Sequence, residues 1–287
     1  MRLLHFILSH SIFVACCALG LCSETFLLLH FQVSYNTLGF VFFSTVCSYN
    51  FYWLISKFYF SIDKKYFLKN NLSYIALLFI GAIGASYFFV NSNLSLLSVL
   101  ISIMLTLLYS LPLWPFKFTK KIQSIGFVKT ILLAFTWAFV TVILPAESEM
   151  VISLPTLILF STRFLLMLML CIIFDMRDVK LDKINGLQSL VSTLDLSKIK
   201  IIFYVILSFY LITSGLFFYT SNFLIQILQP VFIALVLFFT FRKSLEPQKY
   251  IFYYFFVDGL MLVSLFSNLI FYYFLYTNFL FSITFTI

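Results

Sequence analysis

Apolar runs, each close to the roughly 20 residues that span the hydrocarbon core of a bilayer as a helix, alternate with short polar clusters along the whole chain. In order they cover 3–22, 35–56, 72–90, 94–114, 126–144, 154–174, 199–219, 223–241 and 251–284. The pattern predicts an all-α polytopic membrane protein, a bundle of nine transmembrane helices, with 1–287 as a single transmembrane domain. A β-barrel would need strands of about ten residues with alternating polar positions, and these continuous runs do not supply them. The first run, with Ala15-Cys16-Cys17-Ala18 inside it, also has the outline of a signal peptide. It is long enough to span and lacks a clear cleavage site, so a helix is expected.

Composition agrees with the pattern. Hydrophobic residues make up 63% of the 287 and charged residues only 10%, against roughly 25% charged in a soluble domain. Four loops, counting Lys200 just past the third, hold all but three of the 18 lysines and arginines. They lie at about 57–71, 115–125, 175–198 and 242–250, after the second, fourth, sixth and eighth runs. Because Lys and Arg resist translocation, these loops are expected on the cytoplasmic side, with the amino terminus inside and the carboxyl terminus outside. Glu24, Glu147 and Glu149 then mark the opposite face. A bacterial inner membrane is the expected location.

The net charge of +8 flanks membrane spans and carries no nucleic-acid-binding motif around it, so anionic lipid headgroups are the expected partner. Cys16, Cys17, Cys22, Cys47 and Cys171 have no metal-binding spacing and are read as packing residues. His5, His10 and His30 form no ligand cluster. Arg163 and Asp258 fall inside apolar runs, where an unpaired charge costs about 2.5–3.5 kcal/mol. They are expected to pair with each other as structural intramembrane charges, or to line a cavity.

The most specific constellation follows the sixth run. Asp175, Asp178 and Asp182 stand at i, i+3 and i+7, one helical face if that helix continues beyond the bilayer surface. Three carboxylates converging there favour a bound cation, and Mg2+ suits oxygen ligands completed by water and phosphate. Arg177, Lys180 and Lys183 are interleaved and suited to phosphate oxygens. Spacing alone leaves a second reading, a solvated loop with local ion pairs, which is the commoner fate of such a run.

The segment Asp175-x-Arg-Asp178-x-x-x-Asp182-x-x-x-Gly186 resembles the second aspartate motif of the UbiA superfamily of intramembrane prenyltransferases, which follows the sixth of nine helices. Tyr109-Ser110-Leu111-Pro112 with Lys117 resembles the family's Tyr-Ser-x-Pro segment. Thr136-Trp137 with Leu144-Pro145 resembles its fifth helix. The resemblance implies a prenyltransferase that moves an isoprenyl group from a prenyl diphosphate to a hydrophobic acceptor. It implies Mg2+ held by Asp175, Asp178 and Asp182, and diphosphate oxygens met by Arg177, Lys117 and Lys121. Tyr109 would face the cavity, and Asn50 would be the remnant of a second metal side.

That second side is where the sequence departs from the family. The first motif, Asn-Asp-x-x-Asp-x-x-x-Asp, is replaced by Asn50-Phe51-Tyr52-Trp53-Leu54-Ile55-Ser56-Lys57-Phe58. Asn50 remains, and Phe51, Leu54 and Phe58 stand where aspartates are expected. Three readings follow: a divergent transferase, a lipid-phosphate-binding protein without transfer, and a transporter or scaffold.

Overall fold

A computed structural model describes residues 2–60, 71–110, 126–185, 190–221 and 225–284; within these, 2–4, 57–60, 126–127, 178, 180–185, 190, 192, 220–221, 225–226, 272 and 274–284 are described as backbone only. The described residues are helical and contain no strand. Seven helices are long and apolar enough to cross a bilayer, and two shorter apolar ones, Ile12–Leu28 and Leu96–Ser110, stand at the first and fourth predicted spans.

The first apolar run is two helices rather than one, α1 (Arg2–Ser9) and α2 (Ile12–Leu28). Ser11 breaks it with a left-handed backbone, φ 61°, a conformation that non-glycine residues adopt only when their surroundings compensate the cost. Packing around His10 provides that compensation. Its imidazole is stacked between Phe6 and Tyr74, at 4.1 and 4.4 Å, and shares a 2.8 Å hydrogen bond with Ser73. Its backbone carbonyl accepts a 3.1 Å hydrogen bond from Asn50.

Helices α3 (Tyr35–Phe60) and α4 (Leu72–Val90) form the most extensive helix pair. In lipid such pairing depends on close approach through small residues. A Cβ added to Gly81 would lie 2.7 Å from the Cys47 backbone nitrogen, and one added to Gly84 would lie 2.5 Å from the Phe43 ring. Gly81 is the one buried residue of α4; Phe79, Ile80, Ile83 and Tyr87 are exposed and suited to lipid.

After α5 (Leu96–Ser110) comes α6 (Gly126–Ala138), which passes through a π-helical turn at Phe139–Ile143 into the short α7 (Leu144–Ser148). Pro145 explains the widened turn, since it has no N–H to give the Thr141 carbonyl and its ring crowds that carbonyl. Thr25 of α2 supplies the missing donor from outside, with Oγ1 donating to the Thr141 carbonyl at 2.7 Å. Thr25→Val keeps the shape and removes the donor, so it is expected to cost about 1–3 kcal/mol. Thermal unfolding of the purified protein in detergent measures this, and an unchanged midpoint would contradict it.

The centre of the bundle is α8 (Leu154–Asn185). Every residue from Leu166 to Ile173 is buried, as befits a helix enclosed on all sides. It packs on α6, α10 (Leu196–Ser221) and α11 (Ile225–Ser244), with the short α9 (Leu190–Thr193) between α8 and α10 in sequence. A second π-helical turn, Phe252–Val257, leads into α12 (Asp258–Thr284), which returns against α2. The stretch 175–185, expected to open a loop, is the end of α8.

Candidate functional site

Because α8 runs unbroken to Asn185, positions 175, 178 and 182 fall on one helical face by register. The Asp175 carboxylate is anchored there by Thr130 of α6, whose Oγ1 donates to it at 2.8 Å. Nothing near the aspartate motif in sequence points to Thr130, 45 residues away. The side chains of Asp178 and Asp182, and all of Lys117 and Lys121, lie outside the described residues.

Arg177 turns to the π-helical turn before α12. Its guanidinium carbon lies 4.7 Å from the Tyr254 ring centre, 5.7 Å from Tyr253 and 5.5 Å from Phe174. Rings at that distance attract a cation through their negative faces. Asp258, the first residue of α12, is buried and interacts electrostatically with Arg177. The two π-helical turns thus differ in use: one accommodates Pro145, and the other carries Tyr253 and Tyr254 to Arg177 one turn before Asp258.

A second cation stands on the α6 side. Lys129 Nζ is 3.4 Å from the Tyr52 hydroxyl, and it lies 5.8 and 5.4 Å from the Tyr52 and Tyr109 ring centres. Those two rings stack on each other at 5.1 Å. Tyr109 therefore borders the same polar region as Lys129. Beneath them the Trp137 indole N–H donates to the Tyr49 hydroxyl at 3.1 Å. Cys171, one turn before Asp175, lies within electrostatic range of Asp175, Asp258 and Lys129. Acids, cations and phenols from α3, α5, α6, α8 and α12 thus gather around one centre at the end of the bundle that bears the basic loops.

Asn50 of α3 is fully buried. Both protons of its amide are used, on the His10 carbonyl at 3.1 Å and the Val46 carbonyl at 2.8 Å. Among the described residues its Oδ1 has no hydrogen-bond partner. A side chain so placed has no donor left for a diphosphate oxygen. Among the described residues no three His, Cys, Asp or Glu side chains converge as a ready metal site. The Asp175 carboxylate is an oxygen ligand of the kind Mg2+ takes, and positions 178 and 182 share its face by register.

The intramembrane charges do not pair as expected. Arg163 NH1 donates to Glu24 Oε2 at 2.7 Å, with the two side chains only 3% and 2% exposed. Glu24, expected to mark the outer face, is buried within α2. Asp258 belongs instead with Arg177, at the other end of the bundle. Depth arithmetic along single helices cannot distinguish these partners, because the Glu24–Arg163 contact joins residues 139 apart in sequence.

Fold and site together define a polytopic helical membrane protein with a polar centre at its basic end. No known protein family matches the sequence, and no curated protein does. Among solved structures, the chain is similar to the apo structure of a UbiA homolog from Aeropyrum pernix K1, with a TM-score of 0.61 over 91% of this chain and 96% of that one. Identity is 12%. The chain therefore has the UbiA fold.

Proposed function

We propose that this protein is a divergent UbiA-like prenyltransferase, moving an isoprenyl group from a prenyl diphosphate to a hydrophobic acceptor in the membrane. The observation that carries this reading is Asp175, held by Thr130 and flanked by Arg177 and Lys129, at the centre of a chain with the UbiA fold. Asp175, Asp178 and Asp182 would hold Mg2+, with Asn50 the remnant of a second metal side. When bound, Mg2+ would neutralise the charge that accumulates on the diphosphate as the allylic C–O bond breaks.

The chain's own residues divide the remaining work. Arg177 and Lys129, with Lys117 and Lys121 in the basic loop, would bind diphosphate oxygens. Tyr49, Tyr52, Tyr109 and Trp137 would keep water from the allylic cation, and their faces would stabilise it. The basic loops would lie in the cytoplasm of a bacterium, with the amino terminus inside and the carboxyl terminus outside.

A second reading, binding of a polyprenyl or other lipid phosphate without transfer, is favoured by one specific feature. Phe51 and Leu54 are apolar where a second set of carboxylates would be needed to ionise the donor. Purified protein incubated with Mg2+, labelled prenyl diphosphates and a panel of aromatic and lipid acceptors separates the two. Release of diphosphate, abolished by Asp178→Asn, is the expected result. Binding of the donor with no diphosphate released in the presence of any acceptor would replace transfer by the binding reading. Absence of both would reject the UbiA-like activity and leave a transporter or scaffold.

A further inference from the structure

Two aromatic side chains cross the bundle beneath the candidate site. Along α6, Trp137 lies about 10 Å deeper than Thr130, the residue that holds Asp175, at 1.5 Å per residue. Its indole N–H donates to the Tyr49 hydroxyl of α3 at 3.1 Å, and the two rings meet edge to face with their centres 6.2 Å apart. On α8, Cys171 is one turn deeper than Asp175 and lies within electrostatic range of Tyr49. The hydrogen-bonded pair therefore joins α3 to α6 at a level below the aspartate.

Burial changes at this level. On the aspartate side, Tyr52, Tyr109 and Phe174 are half-buried, and so is Tyr49 itself. Beneath the pair, Val46 of α3, Thr141 one turn past Trp137 and Leu170 of α8 are only 3%, 0% and 1% exposed. Accessible surface reaches the two rings from above, and close packing follows them. A packed interior of that kind resists the insertion of further carbon atoms.

A prenyl diphosphate joins a charged head to an apolar tail. With its head at Arg177, Lys129 and the aspartates, the tail is driven away from the aqueous end and into the bundle. The main chain of a geranyl group, seven C–C bonds of about 1.5 Å, has a contour of about 10 Å, and a farnesyl group, with four more bonds, about 16 Å. The shorter tail ends at the Tyr49–Trp137 pair. The longer one overruns it.

We propose that the Tyr49–Trp137 pair is a length gauge, restricting the donor to a short prenyl chain, geranyl or dimethylallyl. This assignment rests on the prenyl diphosphate reading above and narrows its substrate class. The two rings act as a floor for the tail, and the hydrogen bond between them fixes its height.

The test uses the full chain in lipid nanodiscs with Mg2+. Labelled geranyl diphosphate is displaced by dimethylallyl, farnesyl and geranylgeranyl diphosphates, and diphosphate release is read in parallel. Nanodisc lipid takes up long tails alike for every variant, so the readout is the ratio of farnesyl to geranyl affinity in each variant against the native protein. Trp137→Ala should raise that ratio about tenfold, equivalent to about 1.4 kcal/mol, and Tyr49→Ala should raise it from the α3 side. In the native protein, a geranyl diphosphate with a photoreactive terminal group should label α3 or α6 beside the pair, a result that needs no variant to fold. Labelling of lipid instead of these helices, or a ratio indifferent to both substitutions, would overturn the gauge and leave the UbiA-like reading standing. Length-selective binding without diphosphate release would support the gauge in a protein that binds and does not transfer. Failure of both short donors to bind would reject the UbiA-like reading, and the gauge with it.

Discussion

Arg163→Met is expected to destabilise the protein by about 3–5 kcal/mol, because it leaves the Glu24 carboxylate buried without its counter-charge. The pair is almost completely shielded, at 3% and 2% exposure, so bulk water cannot substitute for the guanidinium. Ser264 and Asn268 would still donate to Oε1, which keeps the loss below that of an isolated buried ion. Replacing both charges, Arg163→Met with Glu24→Leu, is expected to recover most of the loss, since an apolar pair of similar volume removes the desolvation cost along with the attraction. Thermal unfolding of the two variants in detergent checks this. A single variant that melts with the native protein would show that the pair contributes nothing.

The second large effect concerns activity. Asp175→Asn keeps the size of the side chain and removes its charge, so turnover of prenyl diphosphate in the assay above is expected to fall by about two to three orders of magnitude, the range for loss of a principal electrostatic group. Thr130→Val leaves the carboxylate in place and removes the hydroxyl that orients it at 2.8 Å. Groups of that kind typically govern 10- to 100-fold in metal affinity or activity. The two variants should therefore be graded, with Thr130→Val recovering part of its loss at raised Mg2+ and Asp175→Asn recovering little. Equal activity of Thr130→Val and the native protein across Mg2+ concentrations would remove Thr130 from the site.

The grading shows what sequence reasoning reaches. The spans are legible because a bilayer demands about 20 apolar residues from each helix, whatever lies beside it. The aspartate face is legible for a similar reason: three carboxylates at i, i+3 and i+7 define a surface from one helix alone. What is not legible is every feature made by two helices. Thr130 is one threonine among many until α6 is set against α8. Arg163 and Asp258 are charges of comparable standing in the sequence, and only the packing of α2 gives one of them Glu24 and leaves the other to Arg177. Ser11 and its left-handed backbone are likewise unmarked, because the forces that bend the chain there come from Ser73, Tyr74 and Asn50. The first-motif replacement is the opposite case. Phe51 and Leu54 are plain in the sequence, and the structure adds that Asn50 has given its amide protons to its neighbours.

Glu24 also has a mechanical consequence. Through a single carboxylate it ties α2, near the start of the chain, to α8 in the middle and to α12 near the end. The bundle is thereby fastened like a ring with its clasp on the side away from the aspartates. Helices drawn out of the membrane from either terminus must release the same three-way knot, so the first and last helices resist extraction together rather than in turn. Freedom to part and admit a bulky lipid is correspondingly left to the opposite end, where the acids, the cations and the tyrosines stand.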